Sequence, residues 1–197
     1  PKQPVPVLFS ETEARQLMQE GALTLQWTGY KTPEAKLVCV AIGAYQLIEV
    51  LKASVRLRKN EIPHRVVYIA EPGRFRVPRN EGEAQHAVSK KAQQALIPDT
   101  IEHLILVTHT RPEVLVGILQ PLWEGRSIRA LGFINQGGTM GIDDMLYINR
   151  CSWAHILETA THMLKLDKNL LLTPQERDAM EGRLSPDGII TKRKIPV

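Results

Sequence analysis

Leu37-Val-Cys-Val-Ala-Ile42 is a run of six apolar residues with no polar residue among them. A strand with one wet face alternates apolar and polar side chains, so an unbroken run reads as a strand covered on both faces. Gly43 ends it. From Ala44 to Asn60 the period changes to that of a helix. Leu47, Val50, Leu51 and Val55 fall on one side, and Lys52, Arg56 and Lys59 on the other.

The same alternation extends in both directions. Arg65-Val-Val-Tyr-Ile-Ala70 reads as a second strand, residues 83–95 as weakly helical and polar, and His103-Leu-Ile-Leu-Val-Thr108 as a third strand. Pro112 then opens a helix and Gly125 stands just past its end. Ile128 to Ile134 reads as a fourth, buried strand. A helical region over 143–166 follows, interrupted near Asn149, whose side chain is placed to cap the second half. Upstream, the capping box Ser10-Glu-Thr-Glu13 predicts a helix from Glu11 to Glu20 stopped by Gly21, with a short edge strand within Ala22 to Trp27. A second box, Thr173-Pro-Gln-Glu176, opens a short helix that Gly182 closes. Strands alternating with helices make right-handed βαβ units. The expected fold is α/β, one open and mostly parallel sheet of about five strands with helices on both faces. Residues 1–10 read as a linker, 11–172 as the α/β domain, and 173–197 as a C-terminal helix and extended tail.

A chain of 197 residues with 43% hydrophobic content suffices for one large domain. Its net charge of +4 comes from 25 cationic against 21 acidic residues, and aromatics are 5%. Nucleic-acid binding calls for basic residues interleaved with aromatics, so nucleic acid is not an expected partner. The cationic excess sits in Arg74-Phe-Arg76, Arg79 and the tail Lys192-Arg-Lys194, and reads as a local anion-attracting feature. Cys39 and Cys151 form neither a CxxC nor a metal spacing, which fits a cytoplasmic location. No apolar run approaches the ~18–20 residues needed to span a bilayer, so no membrane is expected. The opening Pro1-Lys-Gln-Pro-Val-Pro6 lacks an initiator methionine and reads as a linker, as in a domain of a longer polypeptide.

Open α/β sheets bind ligands outside the carboxyl ends of their strands. Those ends bring Gly43, then Arg74 and Arg76, then His109 and Arg111. The last comes from Leu131-Gly-Phe-Ile-Asn-Gln-Gly-Gly-Thr139, an apolar run breaking into a glycine-rich turn with Gln136, Gly137, Gly138 and Thr139. One reading is an anion or nucleotide pocket, because guanidinium forks and helix N-termini suit phosphates and carboxylates. The stronger reading is that the loops pack on a partner domain, since arginine is common at interfaces. Gly43-Ala-Tyr-Gln46 is not a dinucleotide fingerprint, and neither a phosphate loop nor a G-x-S-x-G elbow occurs. His155 and His162 lie seven apart with no third metal ligand at ligand-like spacing. Asp143-Asp144 sits at a helix start, where carboxylates favour the dipole. Nothing assembles a catalytic set.

The chain resembles the C-terminal domain of the phosphoketolases, thiamine-diphosphate enzymes related to transketolase, from about Ala22 to Leu166. The resemblance lies in the first strand with its helix, Arg65-Val-Val-Tyr68, His109, and Gly132-Phe-Ile-Asn-Gln-Gly-Gly-Thr139 with Met145, Asn149 and His155. Better-known members read closer to G-Y-K-E-E-G-T in the glycine motif. Glu71-Pro-Gly-Arg-Phe-Arg76 replaces their acidic-hydrophobic segment, and Thr110-Arg111 their Gly-Tyr.

The resemblance implies a three-domain, dimeric enzyme that cleaves xylulose 5-phosphate or fructose 6-phosphate with phosphate, giving acetyl phosphate and a shorter aldose phosphate. It places thiamine diphosphate and Mg2+ between the N-terminal and middle domains, with no cofactor and no catalytic residue in this one. This domain would then serve interdomain or dimer packing, or bind an anionic effector. The competing readings are a regulatory anion or nucleotide module, and the equivalent domain of transketolase or a 2-oxoacid dehydrogenase. Fold alone does not separate these.

Overall fold

Every residue of Leu37–Ile42 is buried, and the two faces of this strand enter two different cores. Leu37, Cys39 and Ala41 join one, and Val38, Val40 and Ile42 the other. The computed structural model describes residues 7–134 and 138–195. Its strands are β1 (Ala22–Thr24), β2 (Leu37–Ile42), β3 (His64–Ile69), β4 (His103–Thr108) and β5 (Ser127–Leu131). They form one sheet in the order β1-β3-β2-β4-β5, parallel throughout except that β1 runs antiparallel to β3. The helices are α1 (Glu11–Glu20), α2 (Ala44–Lys59), α3 (Glu81–His86), α4 (Lys90–Leu96), α5 (Pro112–Ile118), α6 (Gln120–Trp123), α7 (Ile142–Ile148), α8 (Trp153–Met163) and α9 (Pro174–Met180).

α2, α7, α8 and α9 contribute Leu51, Leu146, Trp153 and Ala179 to the core on one face. Leu96 of α4, Leu115 of α5, Leu122 of α6 and Phe75 build the core on the other. The chain leaves β2 toward β3, then crosses the second face to reach β4 on the far side of β2. That reversal between β2 and β4 is where doubly wound sheets open a crevice.

Several expectations are corrected by packing. β5 is half-exposed along its length rather than buried, because it is an edge strand with a neighbour only on the β4 side, and it ends at Leu131. Residues 83–95 divide into α3 and α4, capped by the side chains of Asn80 and Ser89. Asn149 does not cap α8. Its carboxamide oxygen accepts the Ile134 N–H at 2.6 Å and its NH2 donates to the Met145 carbonyl at 2.9 Å.

α8 is capped from a distance. Ser152 holds its N-cap position, but the Ser152 hydroxyl is bonded to Nδ1 of His155 at 2.7 Å. The cap is instead Glu49 of α2, whose carboxylate accepts the Trp153 N–H at 2.8 Å and pairs with Lys52 at 2.5 Å. Burial pushes the Glu49 carboxyl upward, against the pull of Lys52 and the Trp153 N–H. The tail beyond Gly182 folds back in a turn over 186–191, with Gly188 at φ 75°, and buries Ile190. The indole N–H of Trp153 donates to the Ile190 carbonyl at 3.2 Å.

His64 and His155 are both buried. The Nδ1 of His64 donates to the Ile62 carbonyl at 2.8 Å, and its Nε2 faces the Ser54 hydroxyl at 2.7 Å. Burial pushes each imidazole from 6.5 down to about 4, and Arg58 and Arg150 respectively add to the depression. The unfolded chain therefore takes up protons near pH 6.5 and the folded chain only near 4. The stability these neutral histidines contribute is present above pH 6.5 and is lost as pH falls from there toward 4. At about 1.4 kcal/mol per pH unit, roughly 3 kcal/mol is at stake for each histidine. Urea midpoints are expected to be flat from pH 8 to 7 and to drop steeply between 6.5 and 4.5. A flat profile through that window would refute the assignment.

Candidate functional site

The carboxyl ends of β2 and β4 lie side by side. The His109 N–H donates to the Ile42 carbonyl at 3.2 Å, and its ring Nδ1 meets the same oxygen at 3.1 Å. A carbonyl oxygen only accepts, so Nδ1 is the donor in that contact. Between them the chain turns at Gly43 with φ 110°, a conformation that L side chains rarely adopt. A Cβ at Gly43 would also stand 2.4 Å from Oε1 of Gln46 and 3.0 Å from Nδ1 of His109.

Gly132 brings the end of β5 to the same place. Its backbone lies so close to the loop after β4 that a Cβ would come 2.6 Å from the Thr110 carbonyl and 2.7 Å from Cδ of Pro112. Phe133 N–H then donates to the Thr110 carbonyl at 3.0 Å, and Asn149 holds the N–H of Ile134. These contacts leave a cavity of about 280 Å³ at the switch point. Its walls are Tyr45 and Gln46 from α2, Thr108 from the end of β4 and His109 just beyond it, Phe133, and Ile142, Met145, Leu146, Asn149 and Cys151. No Lys, Arg, Asp or Glu stands among them. The crevice is an apolar slot with an amide, an imidazole and a phenol at hand, suited to an uncharged surface rather than to an anion. Burial pushes the Cys151 thiol to about 12, with Glu49 adding to it, so it supplies no thiolate.

The residues expected to converge on one pocket are divided between places. His109 lines the crevice. Arg74 and Arg76 line a separate recess of about 330 Å³ with Asn80, Glu83 and His86, sharing no residue with the crevice. There Arg74 donates to the carbonyls of Gln19 at 2.8 Å and His86 at 3.3 Å, and Arg76 pairs with Glu83 at 2.8 Å. Arg111 is exposed at the N-cap position of α5 and lines neither cavity. Gly138 and Thr139 are exposed and do not line the crevice, and Gln136 and Gly137 lie outside the described residues. Gln46 and Cys151 were missed as wall residues. Nothing in a helical or apolar pattern marks which side chain faces a crevice.

The crevice does not suit thiamine diphosphate with Mg2+. Its lining holds no carboxylate for a hard cation and no lysine or arginine for a diphosphate. Among the described residues no group of three His, Cys, Asp or Glu side chains is placed to hold a metal ion. No helix among them is long and apolar enough to cross a membrane.

A family model described as the XFP C-terminal domain matches residues 2–183. The chain belongs to the phosphoketolase C-terminal domain family. No curated protein matches its sequence. Among solved structures, this phosphoketolase C-terminal domain is similar to transketolase from Leishmania mexicana at TM-score 0.53 and 14% identity, over 80% of this chain and 20% of that one. It is similar to a Pichia stipitis transketolase in complex with sedoheptulose 7-phosphate at TM-score 0.52 and 16% identity, over 76% of this chain and 19% of that one. At such identities the likeness shows the fold, a transketolase C-terminal-like α/β sheet. The chain spans about a fifth of the length of these transketolases.

Gly132→Ala is expected to destabilise this phosphoketolase C-terminal domain by about 1–3 kcal/mol, because backbone cannot move aside for the new methyl. Gly73→Ala, where nothing lies within 4 Å, serves as the control and is expected to be near neutral. Equal urea midpoints for the two variants would show that the close approach at Gly132 is not a constraint.

Proposed function

We propose that this chain is the non-catalytic C-terminal domain of a thiamine-diphosphate-dependent phosphoketolase. The parent enzyme cleaves xylulose 5-phosphate or fructose 6-phosphate with inorganic phosphate and releases acetyl phosphate. The observation that carries this reading is the family match over residues 2–183. Thiamine diphosphate and Mg2+ belong, in this proposal, to the N-terminal and middle domains of a cytoplasmic homodimer. Residues 11–172 with the helix and tail of 173–197 form the unit that packs on those domains.

The role we assign to the domain is contact. The crevice wall is apolar and uncharged, and Ile134 and Met145 stand 49% and 39% exposed beside it. Apolar surface of that kind is stabilised when a neighbouring domain covers it. Arg111, exposed at the start of α5, then serves as a polar contact for carboxylates of the neighbour, whereas Arg74 and Arg76 are held in their own recess by Gln19, His86 and Glu83. This supports packing over effector capture at His109 and the 136–139 turn.

The purified chain is expected to form no acetyl phosphate from xylulose 5-phosphate, phosphate, thiamine diphosphate and Mg2+. A native polypeptide captured by antibody against residues 11–172 is expected to be several times longer and to form acetyl phosphate in the same mixture. A captured chain of this length, or a longer one inactive toward both sugar phosphates, would overturn the proposal.

A further inference from the structure

A second recess, of about 210 Å³, lies between α2 and the tail, away from the crevice. Five cationic side chains line it. Lys52, Arg56 and Lys59 share one face of α2, and Arg193 and Lys194 come from the tail. The tail is held there by Trp153, whose indole N–H binds the Ile190 carbonyl and whose ring stands 5.6 Å from the guanidiniums of both Arg56 and Arg193.

Two carboxylates face these five cations. Glu49 pairs with Lys52 at 2.5 Å. Glu176, buried under the recess, pairs with Arg56 at 3.0 Å and with Arg193 at 2.6 Å. Burial pushes the Glu176 carboxyl up, but hydrogen bonds from Arg56, Arg193 and the Thr173 N–H hold it below its ordinary value, so it is ionised. Among the described residues, Lys59 and Lys194 have no carboxylate within salt-bridge distance. Like charges gathered in one concavity raise the local concentration of an opposite ion.

We infer that this recess binds a compact phosphate-bearing anion. Lysine ammoniums in a concavity made more positive by the paired guanidiniums of Arg56 and Arg193 match a multiply charged oxyanion. The cavity is smaller than the ~300 Å³ at which sites for drug-sized molecules begin, so a small phosphate fits it and a whole nucleotide does not. Because two of the cations belong to the tail, the anion joins the tail to α2.

The test titrates the whole 197-residue chain, which carries a core on each sheet face, with pyrophosphate and separately with ribose 5-phosphate at constant ionic strength. A saturable rise in Tm with either probe is expected, together with slower tryptic cleavage at Lys192 to Lys194. Which probe binds more tightly separates a free inorganic anion from a phosphate ester. Lys59→Gln/Lys194→Gln leaves the Glu176 pairs intact and is expected to weaken binding at least ten-fold. His109→Ala, in the crevice, is expected to leave it unchanged, which separates this site from the proposed domain contact. The inference is overturned if neither probe saturates, if sodium chloride or citrate matches the shift, or if the double variant binds as the parent does.

Discussion

The buried carboxylate of Glu49 ties the two halves of this domain together. It sits on α2, the helix that leaves the central strand, and accepts the first N–H of α8, the helix that returns to the same face. A charge taken out of water is stable only when enough donors surround it, and here Lys52 and the positive end of the α8 dipole do so. The arrangement frees Ser152 from capping, and its hydroxyl instead orients His155. It also sets the position of Trp153, on which the tail is hung. Glu49→Ala would therefore loosen an interhelical contact, a helix terminus and the tail anchor together.

The second constraint is close approach at the carboxyl end of the sheet. Gly132 leaves no room for a methyl group and Gly43 turns at a φ that L side chains rarely adopt, which together draw the ends of β2, β4 and β5 around one slot. Asn149 completes the arrangement by spending its side chain on Ile134 and Met145, and the bend there is carried by Arg150 at φ 56°. Both constraints act on the same connection. The segment 149–153 separates α7, which lines the crevice, from α8, which abuts Glu49, so the crevice wall and the tail anchor share one backbone path.

Elements whose cause is local were legible in the sequence. β2 and β4 show as unbroken apolar runs because both faces are covered, and the two capping boxes are complete within four residues each. The same holds for the order of strands and helices. The site was legible only as an address. His109, Gly132 and Phe133 fall where the topology puts a crevice, but the character of that crevice depends on Gln46, Leu146 and Cys151, which arrive from other elements. Asn149 beside a helix start looks like a cap, and a backbone N–H fifteen residues upstream claimed it. Glu49 carried no mark at all, since a glutamate amid a basic, exposed-looking pattern gives no hint of a helix N-terminus from 104 residues further on.

Arginine is where residue type alone says least about a site, and the reason is physical. A guanidinium carries five donors in a plane, and loops bury carbonyls that need them. Arg126 shows the pattern most fully, donating to the carbonyls of Ile101, Leu122 and Ile97 with Asp99 alongside. Arg74 bridges Gln19 and His86, Arg65 reaches Ala95, and Arg56 reaches Leu171. These guanidiniums are thus spent on tying loops down rather than on attracting anions. Spent in this way, a guanidinium has few donors left for a ligand, however well its sequence position suits one. The cations that count toward recognition are those set where carboxylates and carbonyls run short, and only the folded arrangement of helix against tail creates such a place.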